Sequence, residues 1–488
     1  MRRIAFLGVV VCAVAAIVQG AGAAAQTSFT NFTVSNVAGT VCPGGNPCSN
    51  PAAEPAIRAD GAGNFFASSE NGLGGGTEAW RSLDGGNHYE ALTSPNGVSA
   101  ANNTGFAPGG GDTDLAVAPD RNAQGFFNVY VASLSLVNVD VSTSTDRGAT
   151  WTPNPVTTPE TIDDREWIAA DGPQKVCISY HNAPQGITVG CSIDAGATFT
   201  QFAPAIDPLH SYQTANNAIG NLAIDPVSHT IYQTYSAITS ALEVACAPQF
   251  GVPPPNACGY HGVYMAVSTD GGATFTDYPV YVNPDSKVSY GHQFVNVSVD
   301  RAGNVYSVYG DNHNIYYSFS KTRGKTWTGP FKISKAGTNI FPWSTAGDPG
   351  KLDVVYYRTP YYDGTTTPDN YPMSAAWTVG FAQSLSALKR NAGFTETTAT
   401  PVIHYGGVCE SGVTCTGNRD LYDDFGVAAS PAAGLASIVY SDDQWDASGH
   451  SSPYCASQAD SNTASCDHTA VATQTSGSGI FGTKKKKH

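Results

Sequence analysis

The stretch "HGVYMAVSTDGGATFTDYPV", residues 261–280, reads as strand, tight turn, strand, and its centre has near-copies along the chain. They are "SLDGGNHY" (82–89), "STDRGATW" (144–151), "SIDAGATF" (192–199), "STDGGATF" (268–275) and "SKTRGKTW" (320–327). The shared pattern is Ser-x-Asp-x-Gly-x-Thr-aromatic, and it describes a device that closes a hairpin. The Asp carboxylate can accept hydrogen bonds from N–H groups of its own turn, and Gly supplies a positive φ. The aromatic packs back on the strands. In the last copy Thr322 takes the Asp position, so a weaker hydroxyl acceptor has to serve.

Each turn closes a longer unit that begins with a polar residue and a small apolar strand. An Asp/Pro/Gly turn and a strand rich in Val and Tyr follow. Seven such units start at 54–68 ("EPAIRADGAGNFFAS"), 112–133, 164–180 ("DREWIAADGPQKVCISY"), 220–235, 294–309, 341–357 and 423–440. One sheet of this kind cannot bury both faces alone and becomes stable when copies stack round a ring. The reading is an all-β chain, a β-propeller of four-stranded antiparallel blades, with seven blades favoured. Units six and seven lack the turn, and "WTVGFAQS" (377–384) and "HTAVATQT" (468–475) are candidates for their third strands. "TSFTNFTVSNV" (27–37) alternates like a strand and is expected to close the ring by joining the last blade.

The chain opens "MRRIAFLGVVVCAVAAIVQGAGAAAQ", a basic start, an apolar core and small-residue cleavage sites. This predicts a secretory signal peptide over 1–25, a single propeller domain over 26–482 and a basic tail over 483–488. No second run is long enough to cross a bilayer, so an exported, soluble protein, extracellular or periplasmic, is expected. Net charge is −15, and near −17 once Arg2 and Arg3 leave, with 22 basic against 39 acidic residues. Such a surface repels nucleic acid and anionic membrane. Beyond Cys12 the cysteines fall in close pairs, Cys42/Cys48, Cys177/Cys191, Cys246/Cys258, Cys409/Cys415 and Cys455/Cys466, and five local disulfides are the simplest reading. Cys177 and Cys191 are equidistant from a turn at Pro184, so they should face each other across a hairpin. A monomer is expected.

The repeated turn is the Asp-box, or BNR repeat, and through it the chain resembles secreted sialidase-like β-propellers over most of its mature length. The resemblance implies that the boxes lie on the outer part of the blades, so Asp84, Asp146, Asp194 and Asp270 are structural. Sialidases have six blades, which keeps six as the alternative count. It also implies a substrate carboxylate gripped by three arginines, a Tyr/Glu nucleophile pair and an Asp acid/base. Arg forks suit a planar carboxylate, and an ionised Glu can activate a phenol. The Phe/Tyr-Arg-Ile-Pro stretch of sialidases is absent here, and "AIRAD" around Arg58 is not that motif.

In a propeller the starts of the innermost strands line the pocket mouth. Aligned there, the units give one column: Glu54, Asp112, Arg165, Ile219, Phe294, Phe341 and Asp424. Neighbours add Asp114, Asp164, Glu166, Asn217, His292, Gln293, Trp343 and Asp423. Carboxylates crowded in one place acquire shifted pKa values suited to acid/base work. The densest stretch is "TIDDREWIAADG" (161–172), where strand alternation would set Asp164 and Glu166 on one face and Arg165 on the other. The second is "NRDLYDDFGVAA" (418–429). The roles expected from these are Asp164 or Glu166 as acid/base, Arg165 and Arg419 as anion clamps, and Tyr422 with Asp424 as nucleophile and helper. Glu54, Asp112, Asp114, His292, Gln293 and Trp343 are expected to bind substrate, with Trp343 stacking on a sugar face.

The function expected is a sialidase-like glycoside hydrolase acting on extracellular carbohydrate or glycoprotein. A non-catalytic propeller that binds a glycan or protein is the alternative, and a polysaccharide lyase using Tyr290/His292 or His404/Tyr405 is a third reading. No cofactor is expected, although an oxygen-lined channel could hold Ca²⁺.

Overall fold

Small residues mark the strand nearest the axis in each unit, because seven such strands converge there. They are Ala56–Ala59, Thr113–Arg121, Asp163–Asp171, Asn217–Ile224, Asn296–Val299, Thr338–Ala346 and Gly426–Ala429. In the computed structural model of the chain each contacts the next and the seventh contacts the first, which closes the ring. The structure describes residues 26–34, 54–70, 76–97, 109–135, 138–155, 157–159, 162–182, 186–248, 257–291, 293–410, 415, 421–423, 425–446, 449–450 and 468–482.

Each inner strand leads an antiparallel sheet that runs outward. In blade three the order is Asp163–Asp171, Lys175–Asn182, Gly186–Ser192 and Gln201–Pro204. Seven such sheets make a seven-bladed β-propeller, which removes six as a count. The wedge between blades widens away from the axis, and bulky residues of the second strands fill it. Tyr130, Tyr180, Tyr232, Tyr306 and Tyr356 are all buried there. Among the described residues helix is confined to three short 3-10 turns, Pro208–Gln213, Ala241–Ala245 and Pro368–Asn370.

The ring closes as its alternation predicted. Ser28–Thr33 pairs antiparallel with His468–Ser476 and becomes the outermost strand of blade seven. Both proposed third strands are present, as Ala376–Ser384 and His468–Ser476. The pairing explains why blade seven lacks the repeated turn. Its third and fourth strands come from opposite ends of the chain, so no turn joins them.

The repeated turns are self-bonded as their chemistry requires. Asp270 Oδ1 accepts from Ser268 Oγ at 2.8 Å, Ala273 N at 3.1 Å and Thr274 N at 3.0 Å, while Oδ2 accepts from Thr274 Oγ1 at 2.6 Å. Partial burial disfavours its charge, but the bonds from Thr274 and Ser268 outweigh this and hold its pKa at about 2. In the fifth turn Thr322 Oγ1 accepts from Thr326 N at 2.9 Å, so the hydroxyl does serve. Left-handed backbone extends over two positions and not Gly alone, since Arg147, Ala195 and Arg323 precede their glycines with φ of 65°, 59° and 53°. The turns dock each blade on its predecessor: Thr473 Oγ1 of blade seven donates to Gly86 O at 2.7 Å. Because strands alternate in direction, these turns lie at the end of the ring opposite the starts of the inner strands.

Cys177 pairs with Cys191 directly across the hairpin, and both are disulfide-bonded. Cys246–Cys258 and Cys409–Cys415 are also bridged. Cys42/Cys48, Cys455/Cys466, the leader over 1–25 and the tail over 483–488 lie outside the described residues. Among the described residues no helix is long and apolar enough to cross a membrane.

Neighbouring inner strands are clamped by side chains as well as packed. Asn221 of blade four accepts from Val297 N at 2.6 Å and donates to Val297 O at 3.1 Å in blade five. The adjacent Gly220 permits this approach, because a Cβ there would lie 2.1 Å from Val295 O and 2.8 Å from Thr234 Cγ2. Gly220→Ala should therefore force the two blades apart and cost about 3 kcal/mol, read as a lower urea midpoint with an unchanged m-value. A neutral result would mean that the inner strands slide freely past one another.

Candidate functional site

All seven inner strands begin at one mouth of the ring, and the backbone there is irregular. Register slips between Asp164 and Trp167, between Ile219 and Leu222, and between Ile340 and Trp343. Glu54, Arg165, Phe341 and Tyr422 at this level have φ of 47°, 50°, 52° and 54°, and Ile162 beside them has 72°. Left-handed backbone costs a non-glycine residue about 1–3 kcal/mol, and such strain collects at functional sites. The bulge in blade three corrects the expected alternation. An extra residue is inserted between Asp164 and Trp167, so Asp164 stays exposed while Arg165 and Glu166 are both buried.

Arg165 is the hub. Its guanidinium meets Glu54 at 3.2 Å, Asp112 at 3.6 Å and Asp423 at 3.5 Å, acids that come from blades one, two and seven. It rests on the rings of Phe294 at 4.0 Å and Trp167 at 5.5 Å. Glu70 completes the cluster through hydrogen bonds with Glu54 and Asp112, and two carboxyl groups in bonding contact must share a proton. Burial first, then Glu54 and Asp112, hold the Glu70 carboxyl well above the usual range.

Asp164 reaches solvent beside this cluster. The surrounding protein desolvates its carboxyl, and Asp112 and Asp423 add repulsion that Arg165 only partly offsets, so its pKa is raised. Glu166 is buried with neither carboxyl oxygen bonded, and burial followed by Asp112 raises it further. The mouth thus offers a solvent-facing acid beside carboxylates already paired with a cation.

Of the other expected site residues, Asp114 is a clamp between blades. It accepts from Arg58 Nη2 at 2.8 Å and from Ile168 N at 3.1 Å. Trp343 is buried, packed on Trp167 at 5.3 Å with the Arg58 guanidinium over its ring at 5.2 Å. Gln293 donates to Glu410 Oε1 at 2.7 Å and accepts from Phe341 N at 3.2 Å. Tyr422 is half-buried next to Asp423. His292, Arg419 and Asp424 lie outside the described residues.

Two members escaped the sequence reading. Glu70 had a signal: Ala56 pairs with Ser68, so continuing the hairpin by two residues sets Glu54 opposite Glu70. Glu410 had none, since it rides on a loop between blades, next to the Cys409–Cys415 bridge, and reaches Gln293 only through the closed ring. Below Trp343 the ring encloses a cavity of about 280 Å³, walled by inner strands of all seven blades.

Among the described residues two groups have metal-ligand spacing. Glu54, Glu70 and Asp112 each offer an oxygen within 4.8 Å of the others, but all three already have partners here. Asp207, His210 and Asp277 form the second group where blades three and four meet, with His210 Nδ1 3.0 Å from Asp207 and 3.6 Å from Asp277. There the two aspartates also bond each other's backbone N–H.

No family model matches the chain, and no curated protein does. Solved structures resemble it in fold. The GH74 xyloglucanase from Xanthomonas campestris is 14% identical, with 85% of this chain and 53% of that one covered and a TM-score of 0.48. The α-L-arabinofuranosidase of Fusarium graminearum is 13% identical, covering 68% and 92%, with a TM-score of 0.45. The Aleuria aurantia lectin is 11% identical, covering 72% and 96%, with a TM-score of 0.40. These likenesses are of fold alone, and the seven blades rest on the strand pairing described above.

Proposed function

We propose that the protein is an exported, sialidase-like glycoside hydrolase of the Asp-box type, acting on glycans at the mouth of its ring. The observation that carries the reading is a solvent-facing acid with a raised pKa, Asp164, set beside carboxylates that pair with one guanidinium. Glycosidases need this pairing of a carboxyl group that keeps its proton and a carboxylate that does not. The acid falls to Asp164. The counterpart falls to Asp112 or Asp423, each paired with the Arg165 guanidinium and each close enough to Asp164 to raise its pKa. The self-bonded turns support the Asp-box assignment, and the three disulfides among the described residues fit an oxidising compartment.

The charge of the site selects among sugars. Arg165 is engaged by three carboxylates, which leaves it no free fork for a substrate carboxylate. Within the described residues the site therefore suits a neutral sugar better than an acidic one. A binding propeller without turnover is the second reading, favoured by the burial of Arg165 and Glu54 inside the cluster.

A panel of neutral and sialylated glycans, assayed for both release and retention, separates the two. Wild type should release sugar from a neutral glycan. Asp164→Asn should lower that turnover by about 10²–10⁴-fold while leaving retention intact. Retention without release by the wild type on every glycan would establish the binding propeller instead.

A further inference from the structure

The end of the ring opposite the carboxylate cluster carries the reverse charge over one sector. In blade five the repeated turn reads "SKTRGKT" (320–326), with the Asp replaced by Thr322 and three cations added. The turn itself carries Lys321, Arg323 and Lys325 and no acidic residue, while Lys332 pairs with Tyr316 towards the other end of the blade. None of the three cations of the turn pairs with a carboxylate among the described residues, and Lys335, which meets Glu396 at 3.5 Å, lies beyond the outer strand. The turn after the third strand of blade six brings Lys389 and Arg390 to the same sector. Between the two turns lies a cavity of about 230 Å³, with Lys321, Thr322, Thr326 and Thr328 on one wall and Leu388 and Arg390 on the other. The Lys321 ammonium stands 5.6 Å from the Phe319 ring at its base.

Clustered cations repel one another, and this turn has no acidic residue of its own to neutralise its three. The four sister turns all carry the Asp that this turn lacks. We propose that this cavity binds an oxyanion, the sulfate or carboxylate of an acidic polysaccharide, and anchors the ring by the end opposite its candidate active centre. Arg390 supplies a planar fork and Lys321 a point charge from the facing wall, and threonine hydroxyls complete the oxygen's partners. Nucleic acid fits poorly. Its backbone carries about one charge per 1.7 Å, and it would run off the sector onto acidic turns such as that of Asp270. A sparsely charged glycan places a single group in the cavity.

The test measures affinity of the full chain for hyaluronate and lightly sulfated dextran, with neutral dextran and duplex DNA as comparators, at low and high salt. Wild type should bind one or both acidic glycans, more weakly at high salt, and neutral dextran not at all. Thr322→Asp restores the sister turns' residue, so its melting temperature should hold or rise while affinity falls by about tenfold or more. Lys321→Ala with Arg390→Ala should lower affinity likewise. Unchanged binding in these variants, equal binding to neutral dextran, or binding to DNA alone would overturn the proposal. Because the readout is binding at the far end of the ring, it stands or falls independently of turnover at Asp164.

Discussion

Arg165→Ala is expected to lower stability by about 3–5 kcal/mol at neutral pH, because it strips the guanidinium from a buried cluster and leaves the acids behind. Glu54, Glu70 and Asp112 would then face one another with only protons to relieve them. The sign of the pH dependence follows. Carboxyl groups crowded without a cation have folded pKa values raised above the unfolded value near 4, so they destabilise above that pH and recover as protons return. The deficit of the variant should shrink between neutral and mildly acidic conditions, seen in urea unfolding at both. A loss that is the same at every pH would show that Arg165 acts by packing on Phe294 and Trp167, not by charge.

The second large effect belongs to the wild-type chain. Burial pushes Asp140 and Asp277 up to about 7 and Asp353 up to about 8. Burial likewise raises Glu70, Glu166 and Glu410 well above the usual carboxyl range. Above about pH 4 the folded state therefore holds more protons than the unfolded chain, and each such group removes up to about 1.4 kcal/mol per pH unit until its folded pKa is reached. Asp84 and Asp270, held at about 2, work in the other direction, adding stability above about pH 4 that is lost as pH falls towards their folded values. Stability should thus peak near pH 4–5 and decline through pH 8. Asp353 isolates one contribution, because Gln383 Nε2 bonds one oxygen at 2.8 Å and the other is buried without a partner. Asp353→Asn should flatten the decline between pH 4 and 8 and exceed wild type at the alkaline end. A wild-type curve that rises from pH 5 to 8 would refute the account.

Much of this molecule was legible in one dimension. The repeated self-bonded turn, the small inner strand and the Val/Tyr second strand specify a blade, and seven unit starts specify the count. Cys177 and Cys191 were placed by their spacing about one turn. Aligning the unit starts brought Glu54, Asp112 and Arg165 to one place, with Asp423 as the neighbour of the aligned Asp424, because equivalent positions in a ring of repeats share one radius and one height. The same logic failed within the column. It carried no warning that Asp114 would be consumed as a clamp or that Trp343 would lie under Arg58.

What the sequence alone determined is the repeating unit, since a self-bonded turn and a period-two strand are made by residues a few positions apart. What only the tertiary structure decided is the chemistry at the mouth. The bulge that buries Arg165 and Glu166, the ion pairs from blades one, two and seven, and the proton shared by Glu70 all need strands far apart in the chain. Burial and Coulomb energy are set by neighbours in space, and those neighbours exist only once the ring has closed.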